Sequence, residues 1–123
     1  MGKQTVDRDV EAFLPLRPVE FHVLLSLCRG ERHGYGIMLD TEERTDGALV
    51  LQIGTLYRAL QRMKEAGLID DSDRRPSGEA GDERRIYYVV TALGRRVAEA
   101  EAVRLAGLLR AARAGGLIKA SGK

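Results

Sequence analysis

Between Gly54 and Gly67 apolar residues recur at helical spacing, and directly after Gly67 that period is lost. Leu56, Leu60 and Met63 stand at i, i+4 and i+7 and make one stripe, while Thr55, Arg58, Gln61, Arg62 and Glu65 fall on the other side. Gly67 occupies the place of a left-handed helix terminator, with Lys64 favourably set in the last turn. Leu68-Ile69-Asp70-Asp71 and Arg85-Ile86-Tyr87-Tyr88-Val89-Val90 then read as two strands, the second rich in β-branched and aromatic residues. A helix with a polar face it need not bury, followed at once by a hairpin, restricts the chain to a small helical body carrying a β appendage.

The remaining elements follow from punctuation and period. Residues 1–17 read as a polar arm with apolar anchors at Val10, Phe13 and Leu14. Pro18 opens a helix to Cys28, with Phe21, Leu24, Leu25 and Cys28 on one face. A second helix is predicted from Gly34 or Tyr35 to Glu43, stopped by the turn Thr45-Asp46-Gly47, and Leu49-Val50-Leu51 suggests one small strand. The stretch from Arg74 to Arg84 has Pro and Gly for turning and no large apolar residue, which predicts a long, mobile hairpin tip. Thr91 can cap a last helix running to about Ala114, before Gly115-Gly116. On that helix Leu93, Val97, Ala100, Leu105, Leu108 and Ala112 share a broad apolar face that Glu101 and Arg104 interrupt, so partial burial is expected. The expected divisions are an arm over 1–17, a body over 18–90, a helix over 91–115 and a frayed tail over 116–123.

Charge and composition exclude more than they assert. A net charge of +2 with an isoelectric point near 8.9 permits nucleic-acid binding without arguing for it. No run of about 18 apolar residues occurs, so a membrane span is not expected. The charged start does not read as a secretory signal, and the lone Cys28 fits a reducing compartment; both predict a cytoplasmic location. Catalysis is not expected either. Cys28 lies on an apolar stripe, His33 is placed for a local hydrogen bond, and His22 is off the main stripe. No paired carboxylates or phosphate-loop glycines assemble a site, and two histidines with one cysteine lack zinc spacing, so neither metal nor cofactor is expected.

The element order is helix, helix, short strand, helix, strand, long hairpin, strand, helix. The expected fold class is mainly α with a small β-hairpin, a winged helix-turn-helix followed by a C-terminal dimerisation helix. In that plan two helices pack beneath a third that projects into the major groove, where donor and acceptor patterns are readable. The motifs now become specific. His33-Gly34-Tyr35-Gly36-Ile37 resembles the second-helix signature of PadR-like transcriptional regulators. Gly54-Thr55-Leu56-Tyr57-Arg58-Ala59-Leu60, with Met63-Lys64-Glu65-Ala66-Gly67-Leu68-Ile69, is similar to that family's recognition-helix motif. Arg84-Arg85-Ile86-Tyr87-Tyr88 with Thr91 and Gly94 resembles its wing strand and the entry to its last helix. The matches cover roughly residues 18–95 in register. The resemblance implies a cytoplasmic, homodimeric repressor, often responsive to small molecules, of the short form that ends in a single dimerisation helix.

On this reading Arg58, Gln61 and Arg62 are the base-reading candidates, since Arg can bind guanine bidentately and Gln can bind adenine. Thr55, near the helix start, either caps it or meets a phosphate. The Tyr57 hydroxyl reaches a phosphate or sugar, or its ring packs between helices. Tyr35, opening the second helix, has the same two options. Arg74, Arg75, Arg84 and Arg85 are candidate phosphate contacts at the hairpin base. Glu79, Asp82 and Glu83 leave the wing only one net positive charge, which argues against deep insertion of its tip. Leu93, Val97, Leu105, Leu108 and Ala112 are the dimerisation candidates, since too little domain remains to cover them. The expected partners are double-stranded DNA, at a palindromic operator, and a second copy of the chain. The resemblance implies either a small apolar effector or a regulator with no ligand at all; with no Trp in the chain, an effector is not a ring stacked between tryptophans. The competing reading is a winged-helix module for protein–protein contact, which would more often show apolar anchors where Arg58, Gln61 and Arg62 stand.

Overall fold

A computed structural model describes residues 9–73 and 86–119. In chain order the elements are α1 (Pro18–Leu27), β1 (Arg32–His33), α2 (Gly34–Arg44), α3 (Ile53–Glu65), β2 (Ile69–Asp71), β3 (Tyr87–Val90) and α4 (Ala92–Ala114). The chain is thus mainly helical with a small antiparallel sheet, the winged helix-turn-helix plan followed by a long C-terminal helix. The sheet order is β1-β3-β2, with Arg32 opposite Tyr88 on one side of β3 and Ile69 opposite Val90 on the other.

Helix α1 is the hub, packed by α2, α3 and α4. That environment revises the single stripe expected for it. Val23, Leu24, Ser26 and Leu27 are the buried residues, whereas Phe21, Leu25 and Cys28 are only half-buried. A helix covered from several sides has no one apolar face, so periodicity misplaces its core. Leu56, Leu60 and Met63 of α3 join Ile37 of α2, Tyr88 of β3 and Val97 of α4 in the same core.

The small strand expected at Leu49-Val50-Leu51 does not form. Leu51 instead enters the core and Val50 points outward, in the passage between Gly47 and α3. The third strand is Arg32–His33, which takes the edge of β3 left open by β2. Two residues carry no period of their own, so only the partner edge specifies them.

Helix ends behave as their residues dictate. Gly67 adopts φ 84°, and the Leu68 amide donates to the Met63 carbonyl at 2.9 Å while the Gly67 amide donates to Lys64 at 3.1 Å. This paired closure satisfies the last carbonyls of α3. Thr91 Oγ1 accepts from the Gly94 amide at 3.0 Å and so caps α4. It also donates to the Gly67 carbonyl at 2.6 Å, tying the root of α4 to the end of α3.

Two polar clusters brace the helices. Asp40 accepts from Ser26 Oγ and from Arg44 Nη1, both at 2.7 Å, and Arg44 also reaches His22 Nδ1 at 3.1 Å. Burial raises the Asp40 carboxyl, but these hydrogen bonds and the Arg32 and Arg44 charges outweigh it and hold it below the usual range. His22, half-buried against Arg44, is lowered by burial first and by that cation second.

The second cluster fastens the N-terminal segment. Val10 and Leu16 lie in the core, with Phe13 and Leu14 half-buried against it; Leu16 is an anchor that composition does not reveal. Glu101 of α4, 2% exposed, takes Arg104 Nε at 2.7 Å and Nη2 at 2.8 Å and also accepts the Leu16 amide. Hydrogen bonding from Arg104 holds its carboxyl below the usual range against the opposing effect of burial. A carboxyl depressed in the folded state adds stability that is present above its unfolded pKa and lost as the pH falls through the folded value. Glu101→Gln is therefore expected to lower the melting temperature by several degrees at pH 7, with the deficit shrinking below about pH 4, where wild type loses the same charge. Melting curves with an equal deficit at both pH values would contradict this account.

Candidate nucleic-acid interface

Helix α3 buries Leu56, Ala59, Leu60 and Met63, and at 100° per residue the middle of the opposite face carries Gly54, Arg58, Gln61 and Glu65. All four are exposed. Thr55 and Arg62 lie on the flank beside α1, and Tyr57 and Lys64 on the flank beside α2 and β2. Contacts agree with this division: Arg62 meets Glu20 of α1, Tyr57 meets Gly34 of α2, and Lys64 meets Asp71 of β2.

The start of α3 is bare. Gln52 is the N-cap residue and its side chain makes no capping bond, so the first-turn amides keep their capacity for an outside acceptor. Thr55 is the third residue of the helix and half-buried, and therefore does not cap it. Over this turn lies Arg58, whose Nη1 is 3.2 Å from where a Cβ on Gly54 would stand. Arg58 has no hydrogen-bond or ion-pair partner among the described residues.

Its neighbours are engaged. Gln61 Nε2 donates to Glu65 Oε2 at 2.9 Å, Arg62 Nη2 sits 3.4 Å from Glu20 Oε2, and Lys64 Nζ sits 3.0 Å from Asp71 Oδ2. The Gln61–Glu65 pair is legible as an i, i+4 spacing on one helix. Glu20 and Asp71 come from other elements and carry no such signal.

Tyr57 packs between helices and is also partly open to solvent. Its ring and hydroxyl lie against Gly34, where any Cβ would overlap them, yet 45% of the residue is exposed. Tyr35, next to Gly34, is 52% exposed and stacks parallel to His33 with ring centres 6.5 Å apart. His33 caps α2 through Nδ1, which accepts from the Gly36 amide at 3.0 Å. Thr55, Tyr57, Arg58, Gln61 and Arg62 are thus gathered on one helix, and the Tyr57–Gly34 contact brings the start of α2 and Tyr35 alongside. Arg74, Arg75, Arg84 and Arg85 lie outside the described residues.

The dimerisation candidates divide. Val97 is fully buried within the chain and Leu93 packs against the same core. Leu105 and Leu108 are exposed at 36% and 55%, together with Val103, Leu109 and Leu117, while Ala112 is half-buried. The first half of α4 belongs to the body; its second half is an apolar surface without cover from the described residues.

Cys28 is not poised as a nucleophile. Burial pushes the half-buried Cys28 thiol up, opposite to what a nucleophile needs. Among the described residues no group of three metal-binding side chains occurs, and no helix is long and apolar enough to cross a membrane.

Comparison with known proteins adds a family and a set of folds. The model of the transcriptional regulator PadR-like family matches residues 23–100. A transcriptional regulator from Clostridium thermocellum is 25% identical over 82% of this chain and 90% of its own, with a TM-score of 0.66. A PadR family transcription regulator from Clostridium difficile gives 23% identity, 76% and 93% coverage, and a TM-score of 0.64. Bacillus subtilis PadR, solved in complex with operator DNA, gives 19% identity and a TM-score of 0.57, over 68% of this chain and 45% of that one. The last two likenesses speak to the fold alone. No curated protein sequence gives a significant match.

Proposed function

This chain belongs to the PadR-like family of transcriptional regulators, and from that premise we infer that it binds duplex DNA sequence-specifically as a homodimeric repressor. The observation that carries the reading is the outer face of α3: an uncapped helix start, with Arg58 exposed and unpaired over it among the described residues. A bare helix start favours a phosphate, and a free guanidinium beside it is placed for a guanine edge. Arg58, Gln61 and Arg62 are assigned to base reading. Thr55, Tyr57 and Tyr35 are assigned to positioning on the backbone, with Arg74, Arg75, Arg84 and Arg85 as phosphate contacts at the base of the wing. B. subtilis PadR, with the same fold, is solved on operator DNA, which supports duplex DNA as the partner here.

The exposed leucines of α4 support a two-fold contact with a second chain. That contact would place two reading helices on a palindromic operator with half-sites roughly 34 Å apart. Release by a small apolar effector and a cytoplasmic location complete the proposal. Catalysis has no part in it.

Binding of labelled duplex DNA tests the reading. Wild type is expected to bind a duplex carrying its own upstream region, with affinity falling steeply as salt rises, by about 0.9 units of log–log slope per phosphate neutralised. Arg58→Ala is expected to lose about 1–3 kcal/mol on that site, which is about 5- to 150-fold, and distinctly less on random duplex. Wild-type protein that shows no salt-sensitive DNA binding would remove the proposal.

A further inference from the structure

The face assigned to DNA is not an open row of cations. Of Arg58, Gln61, Arg62 and Lys64 on the outer side and flanks of α3, the last three are each already held by a carboxylate of this chain. Glu20 differs from the other two carboxylates. It comes from the first turn of α1, 42 residues before its partner, and its side chain is only 16% exposed against 43% for Arg62. An acidic side chain in a first helical turn is favoured by the helix dipole, so Glu20 has a reason to stand there independent of Arg62. The carboxylate is set into the body, and the guanidinium that reaches it is the more exposed, movable partner.

We propose that Glu20 is a specificity-determining residue: it competes with DNA phosphate for Arg62 and withholds that cation from duplexes lacking a better acceptor. The proposal rests on the DNA-binding reading of α3. A phosphate oxygen presented by any duplex offers Arg62 one more exposed ion pair, worth no more than the one it must give up. A guanine edge or a tightly placed phosphate at the correct register offers a bidentate or desolvated partner, which outcompetes the single 3.4 Å contact to Glu20. Arg62 then contributes to cognate binding and little to random binding. Discrimination rises because the non-cognate complex is weakened, which is how a repulsive element produces specificity.

A double-mutant cycle decides the matter, read by anisotropy of a labelled random-sequence duplex across a salt series. Glu20→Gln, which keeps the side chain's size, is expected to bind that duplex up to about fivefold more tightly, the upper worth of an exposed pair. Its salt dependence is expected to steepen by about one log–log unit, as a freed Arg62 neutralises one more phosphate. In an Arg62→Gln background the same substitution is expected to gain much less. On duplexes selected from a random pool by the wild-type protein, Glu20→Gln is expected to show a smaller gain and so a narrower preference over random DNA. Equal gains with and without Arg62 would show that Glu20 merely repels DNA by its charge, and would overturn the proposal while leaving DNA binding intact. No gain at all would overturn it too. Absence of DNA binding by wild type would remove the reading of α3 and this inference with it.

Discussion

Gly94→Ala is expected to strip the protein of much of its stability, although alanine is the better helix former. On an exposed helix the change would be worth up to about 1 kcal/mol in favour of alanine. Here a Cβ at residue 94 would overlap the Leu68 carbonyl oxygen and lie 2.9 Å from Val90 Cγ2 and 3.0 Å from the Leu68 carbonyl carbon. Two of these three atoms are backbone, so no rotamer change relieves the overlap. The segments are also pinned: the Thr91 amide donates to the Leu68 carbonyl at 3.1 Å, and Thr91 Oγ1 caps α4 through Gly94. Relief requires the whole root of α4 to lift from the Leu68 backbone. A cost of about 3 kcal/mol or more is expected, at the upper end of overpacking effects and a large part of a domain's usual total of about 5–15 kcal/mol. Thermal unfolding should show the midpoint falling by on the order of 10 °C. A midpoint unchanged within a degree or two would mean that α4 does not seat on Leu68 as described.

Leu108→Asp is the second large effect, and it should leave the folded body untouched. Leu108 is 55% exposed within the chain and makes no part of its core, so a monomer gains solvation from the substitution. In the proposed two-fold seam the same residue would be covered in both chains, and two carboxylates would have to be desolvated. Sedimentation is expected to shift from dimer to monomer at micromolar concentration. Operator affinity should fall by about a hundredfold or more, because the second half-site is no longer reached at high effective concentration. Affinity for random duplex should fall less, and the melting transition of the monomer should remain cooperative. Unchanged mass together with unchanged operator binding would refute a seam along this half of α4.

How far the sequence discloses this molecule varies by element. The stripe Leu56, Leu60, Met63, the terminator Gly67, the cap Thr91 and the stop at Gly115-Gly116 are local signals, and each is found where its chemistry requires. Local signals fail where the partner is distant. The edge strand Arg32–His33 exists because β3 offers an edge, and the burial of Val23 and Leu27 reflects helices on several sides of α1. Thr55 reads as a cap because the boundary is displaced; α3 begins at Ile53, and Gln52 holds the cap position. Glu101 reads as a flaw in an apolar face, since nothing nearby announces that Leu16 will bring it a buried amide donor. For the residues proposed to read DNA, spacing alone places Arg58, Gln61 and Arg62 on the exposed side of α3. It does not foretell that Glu20 would hold one of them.

The Leu68 peptide has a mechanical meaning beyond its effect on stability. Its carbonyl receives the first amide before α4 and abuts Gly94, while its own amide closes the end of α3. One residue, through the two peptide units that flank its Cα, is therefore the fulcrum between the two long helices. The arm beyond it has 23 residues, roughly 35 Å at 1.5 Å per residue, so a tilt of about 5° at the root moves the far end by about 3 Å. In the proposed dimer, a seam that grips the far ends of two such arms would dictate the pitch between the two copies of α3. The operator spacing a dimer accepts would then be a matter of leverage along α4 rather than of any contact on the DNA.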